Sequence, residues 1–546
     1  MKKLLAILTA TLIVFTGLFG CRGSSDGELS QFKNRPNEVL VYFGSNAYGQ
    51  DWILEIAEKY MTDYNDDTYI NVKKTVTQTE ELSKIESGVA TGDLYLLDCH
   101  LEEKIFAYED LSSIFDKYPI GEEGQKKISE KLNPGFKTYY QNSGATNYIL
   151  PKADILGGYN FAYNKTVLDN IFKDTPYTLP RTTDEFIEFG TAIKNDAYLL
   201  INSFSDSSDY GIYMYNAWFA QLIGFEAYEN FRDGRYFDAT QNKYVFDKNA
   251  PSYYASNKEA LQDYFEIIRD IYSKDNGYIH ANSLDMTAMD AEAVLAGLGF
   301  GQNSKPGVFM INGSYVEQEM GWMLEDQKSK NNAQEIRMMQ MPVASDIIKR
   351  TPSIETEAEL RTIIDYVDKI LVGETAEKPA DVTDADIEII KEARTICGTY
   401  MAGGMIIPKA AKNKEGAKEF LRYLASDEAA VIAAQYTNGT NLLPFGKNVS
   451  DEELGFERTA FMKDAVKISN KATKICSSDS QEHLFTYVTK IGTTYGKTMR
   501  TYLTSFYNGT NKLTKELFYQ ENINEITENW NRLVTEFENQ GGNVAN

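Results

Sequence analysis

Apolar residues recur along this chain in two rhythms. Val39 to Phe43 is an unbroken apolar run, the pattern of a strand buried on both faces of a parallel sheet, and Gly44-Ser45-Asn46 ends it. The next apolar positions, Trp52, Ile53, Ile56, Ala57, Tyr60 and Met61, fall on one face of a helix. A second strand is predicted near Tyr69 to Val76, and a third over Leu94 to Leu97 that ends in Asp98. Strand, helix, strand, helix, strand is the doubly wound α/β signature, whose ligands lie beyond the carboxyl ends of the strands. That rule makes Ser45, Asn46, Asp98 and His100 candidate ligand-facing positions.

Farther along, Pro180, Thr182 and Glu185 open a helix with capping-box spacing, and Phe186, Phe189, Gly190 and Ile193 continue it at helical period. Ala417, Phe420, Leu421 and Leu424 form another such stripe, and Ile526, Trp530, Leu533, Val534 and Phe537 a third. These stripes read as core faces, not as cofactor sites. Residues 351–394 are charged and rich in Thr and Glu, with weakly amphipathic helices around Pro379. They read as a solvated insertion whose apolar content is too low for a core of its own. No internal repeat is evident.

Composition narrows the class. A chain of 546 residues exceeds the size at which one core keeps growing, so two or more lobes are expected. Acidic residues outnumber basic ones, 79 to 55, and the formal charge of −24 repels nucleic-acid phosphates and anionic lipid surfaces alike. A nucleic-acid-binding role is excluded on that ground. The 36 Tyr and 28 Phe are many for this length, and Tyr suits surfaces that are apolar yet keep a hydroxyl for hydrogen bonding.

The N-terminus changes the picture again. Lys2 and Lys3 precede an apolar run, Leu4 to Phe19, that is short for a membrane span and right for a secretory signal core. The run ends in Leu18-Phe19-Gly20-Cys21, which resembles the lipobox of bacterial lipoproteins, although Phe19 is bulkier than the usual occupant. The resemblance implies a signal peptide over 1–20, cleavage before Cys21 and acylation of its thiol. A small, polar stretch to residue 37 follows, a tether whose first 15 or so residues reach roughly 20 Å. No later segment reaches the roughly 18 uninterrupted apolar residues of a spanning helix, so the expected location is the outer face of a bacterial cell membrane, held by lipid. With Cys21 consumed, Cys99, Cys397 and Cys476 remain, allowing at most one disulfide within a monomer.

Enzymatic signatures are missing. The three histidines are His100, His280 and His483, and the His100/Glu103 pair has no third ligand indicated. HExxH, P-loop and paired CxxC motifs are absent. Asp381, Asp384 and Asp386 fit either a calcium site or a helix start capped at Thr383. No cofactor and no metal is expected.

From Val39 to about Phe445 the order of segments resembles the family 1 extracellular solute-binding proteins, the group that includes the maltose-binding protein. The pieces are the first strand with Gly44-Ser45-Asn46, then Gly92-Asp93-Leu94-Tyr95-Leu96-Leu97-Asp98, then Tyr148-Ile149-Leu150-Pro151 leading to Tyr159-Asn160-Phe161-Ala162-Tyr163-Asn164-Lys165. They continue with Leu179-Pro180-Arg181-Thr182-Thr183-Asp184-Glu185-Phe186, Gly307 to Tyr315, and Gly403-Gly404-Met405-Ile406-Ile407-Pro408 before the helix holding Lys414 to Leu421. The resemblance implies a type II periplasmic-binding-protein fold: two α/β lobes, each a doubly wound sheet flanked by helices, closing on ligand by a hinge. The lobes would be discontinuous, 38–152 with 403–450 and 153–402 with 451–546, the second carrying the 351–394 insertion.

It also implies a role: a lipid-anchored receptor that captures a carbohydrate, most simply an oligosaccharide, for the permease of an ABC importer, working as a monomer. Ser45 and Asn46 would bond sugar hydroxyls, Asp98 and His100 would take vicinal hydroxyls, and Tyr159 and Asn160 would line the crossover. Tyr315 stands where relatives carry a Trp that stacks on a pyranose, and Trp218, with Tyr213 and Tyr215, lies where the second lobe supplies further aromatics. Tyr400 and Gly403, at the chain's return to the first lobe, complete the set. Two other readings stay open at this stage, a peptide receptor of comparable length and a surface enzyme acting on glycans.

Overall fold

The computed structural model describes residues 29–44, 48–75, 77–99, 101–137, 144–152, 158–173, 175–201, 211–280, 282–283, 286–299, 305–399, 403–440, 442–477, 504–506, 508–509 and 513–539. In chain order the strands are β1 (Asn37–Gly44), β2 (Thr68–Thr75), β3 (Leu94–Leu97), β4 (Leu150–Pro151), β5 (Asn160–Asn164), β6 (Tyr198–Ile201), β7 (Arg235–Asp238), β8 (Lys243–Phe246), β9 (Gly307–Asn312), β10 (Ile336–Met339), β11 (Ile396–Thr399), β12 (Gly404–Ile406) and β13 (Lys474–Ser477). The first three lie at the predicted apolar runs.

Two lobes are built on two sheets. The first has the order β2-β1-β3-β12-β4, parallel from β2 to β3 and antiparallel where β12 returns. Val39, Val41 and Phe43 are fully buried in β1. The helix Asp51–Asp63 covers that sheet with Trp52, Ile53, Ile56, Ala57, Tyr60 and Met61, and the helix Lys414–Leu424 adds Ala417, Phe420, Leu421 and Leu424. Apolar residues at helical period thus become the core face that burial stabilises.

The second sheet has the order β10-β5-β9-β6, with β6 parallel to β9 and β5 antiparallel to both its neighbours. Its large aromatic core takes in the helices Thr183–Ile193, Gly211–Ile223 and Lys258–Tyr272. Thr182 caps the first of these, its hydroxyl accepting from the Glu185 N–H while Arg181 N–H donates to the Glu185 carboxylate. The C-terminal helix Lys515–Asn539 packs on Lys258–Tyr272, with Phe518 stacked on Phe265 at 4.3 Å and Trp530 stacked on Phe246 and Tyr253. Much of the tyrosine excess is therefore buried inside this lobe, where the Tyr215 hydroxyl donates to Tyr272.

The chain passes between the sheets from β4 to β5 and returns from β11 to β12. The two crossings touch where Tyr159 N–H donates to Gly398 O at 2.9 Å. Gly158 sits at that contact with φ +75°, and a Cβ there would meet Gly398 O at 2.6 Å, so only glycine allows the approach. A third passage follows the helix Asp427–Tyr436 and leads to the helix Ala460–Ser469, whose Phe461, Met462, Ala465 and Ile468 share a buried cluster with Ile336 and Met338 of β10.

Residues 351–394 depart from expectation. The helices Glu357–Leu371 and Asp384–Thr395 bury Leu360, Ile363, Ile364, Val367, Ile387, Ile390 and Ala393 in a cluster with Val343, Ile347 and Ile354. Apolar content is low on average there but gathered on facing stripes, which is what a core requires. Thr383 caps the second helix by accepting from Asp386 N–H, the Asp386 carboxylate accepts from Ser353 N–H, and Asp384 pairs with Lys378. No group of metal-ligating side chains occurs among the described residues.

Cys99, Cys397 and Cys476 are buried. Cys397 and Cys476 lie on paired strands, but the register sets Cys397 against Ile475 and Cys476 against Gly398. One position of offset sends the two thiols to opposite faces of the ribbon.

Candidate functional site

The carboxyl ends of the strands converge where the lobes meet. β9 runs fully buried to Asn312, and Gly313, Ser314 and Tyr315 follow before the short helix Val316–Glu319. Tyr315 is half-buried and packs against the cores of both lobes at once. Beside it a run of hydroxyls spans the junction. Tyr48 of the first lobe shares a hydrogen bond with Ser314 of the second at 3.3 Å, and Thr440 of the first lobe donates to the Tyr48 hydroxyl at 3.3 Å.

At the floor of the first lobe, Asp98 stands at the end of β3 and pairs with Lys152. Lys152 is fully buried, and its ammonium lies 5.3 Å from the centre of the Phe43 ring. The Asp98 N–H donates to the side-chain oxygen of Gln78. Gly403, at φ +109°, closes over this corner: a Cβ there would lie 3.0 Å from Leu97 O and 3.1 Å from Asp98 Oδ1. Gly403 therefore contributes close approach of the backbone to Asp98, a role no larger residue can fill. Asp98 is fixed by ionic and hydrogen-bonding partners at the position where the strand-end rule places a ligand group.

Other candidate residues sit elsewhere. Trp218 is fully buried in the second-lobe core, its indole N–H donating to Pro342 O at 2.9 Å, and Tyr215 stacks beside it with its hydroxyl donated to Tyr272. The helix that carries them is covered by β11, β13 and the helix Lys258–Tyr272, so neither ring offers a face to a ligand. Tyr159 and Asn160 are also buried: the Asn160 side-chain oxygen accepts from Met341 N–H and its amide donates to Gly158 O, which fixes the crossing strand. Ser45, Asn46, His100 and Tyr400 lie outside the described residues, as do the side chain of Tyr213 and the whole segment holding Cys21.

Several groups had no role assigned from sequence. Tyr48, Ser314, Thr440 and Lys152 meet only through contacts separated by tens to hundreds of residues. Trp322, on the helix Gly321–Ser329, is 62% exposed, whereas Trp52, Trp218 and Trp530 are buried. A third set is acidic. Glu292, on the helix Ala288–Leu295, is 5% exposed. Burial, and then the neighbouring Glu319, push the Glu292 carboxyl up to about 8. Burial likewise raises Glu319 and Glu317, and Glu317 takes a 2.6 Å hydrogen bond from Thr459.

A depression of about 350 Å³ occurs away from these loops, between the helices Glu357–Leu371 and Ala460–Ser469. Asp365, Asp368, Lys369, Val372, Glu374 and Lys467 line it, with no aromatic face among them.

No protein-family model and no curated protein matches the sequence. Solved structures do match the fold. The bacterial solute receptor AcbH, described as having an exclusive preference for β-D-galactopyranose, superposes over 92% of this chain and 99% of its own with a TM-score of 0.56 at 13% identity. The cyclic α-maltosyl-1,6-maltose binding protein from Arthrobacter globiformis covers 92% of this chain and 100% of its own, with a TM-score of 0.52 and 15% identity. A family 1 extracellular solute-binding protein from Bifidobacterium longum subsp. infantis gives 90%, 98%, 0.52 and 15% in the same order. The architecture of this chain is the two-lobed fold of periplasmic-binding-protein-like solute receptors.

Proposed function

We propose that this chain is the capture subunit of an ABC importer, binding a carbohydrate between its lobes without chemical change and passing it to a membrane permease. The observation that carries the reading is Tyr315, seated between two lobe cores at the end of β9, beside the Tyr48–Ser314 contact that joins the lobes. A sugar ring has an apolar face of C–H groups and a rim of hydroxyls. A half-buried aromatic beside hydroxyl groups from both lobes supplies partners for both. Structural neighbours whose names give galactopyranose and a maltosyl sugar as ligands support the same class. The N-terminal Leu18-Phe19-Gly20-Cys21 favours acylation of Cys21 and a place on the outer face of the membrane.

A thermal-shift panel tests the reading, with D-galactose, malto-oligosaccharides, a cyclic maltosyl-maltose and short peptides. A ligand at 100 times its Kd stabilises by about 2.7 kcal/mol, which a melting curve resolves. Stabilisation by a sugar and not by peptides is the expected outcome. Stabilisation by peptides alone would replace the carbohydrate with a peptide ligand, and release of a cleaved glycan would make the protein an enzyme.

A further inference from the structure

The third passage between the lobes, residues 437–459, changes its attachment at one bond. Up to Arg458 it is built into the first lobe. Leu442, Leu443 and Phe445 lie in the core of that lobe, and Asn133 N–H donates to Pro444 O at 2.9 Å. Gln435 of the helix Asp427–Tyr436 donates to Glu453 O at 2.8 Å, while Ala434 packs with Val449 and Leu454. Arg458 closes the passage on itself: its guanidinium donates to Val449 O at 2.8 Å and to Gly439 O at 3.3 Å, and pairs with Asp451 at 2.6 Å. Gly439, at φ +88°, admits the guanidinium, since a Cβ there would lie 2.7 Å from Arg458 Nε.

From Thr459 onward the chain is built into the second lobe. The Thr459 hydroxyl accepts from Met462 N–H, which caps the helix Ala460–Ser469, and donates to the Glu317 carboxylate at 2.6 Å. Asp464 accepts from Arg337 of β10 at 2.6 and 2.9 Å. Phe461, Met462 and Ala465 share a buried cluster with Val316 and Met320, which stand on either side of Glu317.

Arg458 and Thr459 are neighbours in sequence whose side chains are anchored in different lobes. When two bodies turn against each other, the dihedrals that change lie between the last residue fixed in one and the first fixed in the other. Lys463 also pairs with Glu457 across this bond, but both side chains are exposed, and such a pair contributes little. Glu317 stands on the helix Val316–Glu319, directly after Ser314 and Tyr315. Its hydrogen bond with Thr459 joins the segment that carries Tyr315 to the point where the lobes turn.

We propose that Thr459 and Glu317 are positioning residues: their hydrogen bond latches the segment carrying Ser314 and Tyr315 to a pivot at the Arg458–Thr459 bond, so that the lobes turn and Tyr315 is seated on the ligand in one movement. The part concerning the ligand rests on the carbohydrate reading above; the latch itself does not.

Hydrogen exchange of the full chain, read by mass spectrometry, tests the latch without any sugar. Glu317→Met removes the acceptor and leaves the Thr459 cap in place, Glu317→Gln keeps an acceptor, and Thr459→Ser keeps both contacts. The amides of residues 313–320 are bonded within the segment, as Gln318 N–H is to Tyr315 O and Met320 N–H to Val316 O. They should exchange about fivefold faster in Glu317→Met, and within about twofold of wild type in Glu317→Gln and Thr459→Ser. Arg458→Met should instead loosen residues 439–451 and leave 313–320 as in wild type, because its contacts lie on the first-lobe side of the bond. Exchange over 313–320 that is unchanged in Glu317→Met, or as fast in Glu317→Gln as in Glu317→Met, would overturn the latch. Faster exchange over 313–320 in Arg458→Met would overturn the pivot.

Calorimetry then uses whichever of D-galactose, the malto-oligosaccharides and the cyclic maltosyl-maltose stabilises the wild type. Glu317→Met should bind it about fivefold more weakly and Glu317→Gln within about twofold. A Glu317→Met affinity equal to that of wild type would overturn the link to capture. Binding of no sugar by the wild type would instead sink the carbohydrate reading, leaving the exchange profiles to decide on the latch.

Discussion

Two aromatic regions of this molecule contrast with each other. In the helix Gly211–Ile223, Tyr215 and Trp218 are sealed on every side, and their polar atoms are spent on Tyr272 and Pro342. In the loop after β9, Tyr315 touches two separate cores and stands beside hydroxyls from both lobes. Both regions are aromatic. What separates them is that the first can do nothing without unfolding its lobe, whereas the second can change its surroundings by a movement of one lobe against the other. On the proposed reading, a side chain shared between two cores is where hinge motion and ligand contact act on the same atoms.

Substitutions should separate the two regions, and the largest effect belongs to the sealed one. Trp218→Ala removes a fully buried indole and should cost about 3–5 kcal/mol of stability in denaturant unfolding. Affinity per folded molecule should be little changed. A folded Trp218→Ala protein that had lost binding would mean that the ring does face ligand.

Next comes the floor of the first lobe. Lys152→Met leaves the Asp98 carboxylate without its buried partner and should destabilise by about 3 kcal/mol or more, because the cation is fully buried. The double variant with Asp98→Asn should recover part of that loss, and a double variant no more stable than Lys152→Met would show that the two side chains do not act as a pair.

The smallest effect is expected at the junction itself. Tyr48→Phe removes one hydroxyl that links Ser314 and Thr440, about 1 kcal/mol of lobe-to-lobe contact and roughly fivefold in affinity. Small-angle scattering of the ligand-free variant should show a slightly larger radius of gyration, and an unchanged curve with unchanged affinity would remove this contact from the closing mechanism.

The strands were legible in the sequence because a buried parallel strand is an unbroken apolar run; β1 and β3 stand over Val39 to Phe43 and Leu94 to Leu97. The stripe Trp52, Ile53, Ile56, Ala57, Tyr60 and Met61 was legible for the analogous reason, with helical period. Trp218 was not, since the strands that cover its helix, β11 and β13, come some 180 to 260 residues later and leave no local trace. The insertion was misread because average polarity hides how Leu360, Ile363, Ile364 and Val367 share one face. At the junction, Gly313 followed by Tyr315 at a strand end was visible. The Tyr48–Ser314 contact, across 266 residues, was not, because nothing in one segment's pattern specifies its partner in another.

Titration calorimetry of Tyr315→Ala and Tyr315→Phe, using the sugar selected by thermal shift and with folding verified by circular dichroism, tests the central claim most directly. If Tyr315 is the platform between the lobes, the Ala variant should lose about 2 kcal/mol, roughly thirtyfold in affinity, while Phe keeps most of the binding at any salt concentration. A folded Tyr315→Ala protein that binds the same sugar as tightly as wild type would contradict it.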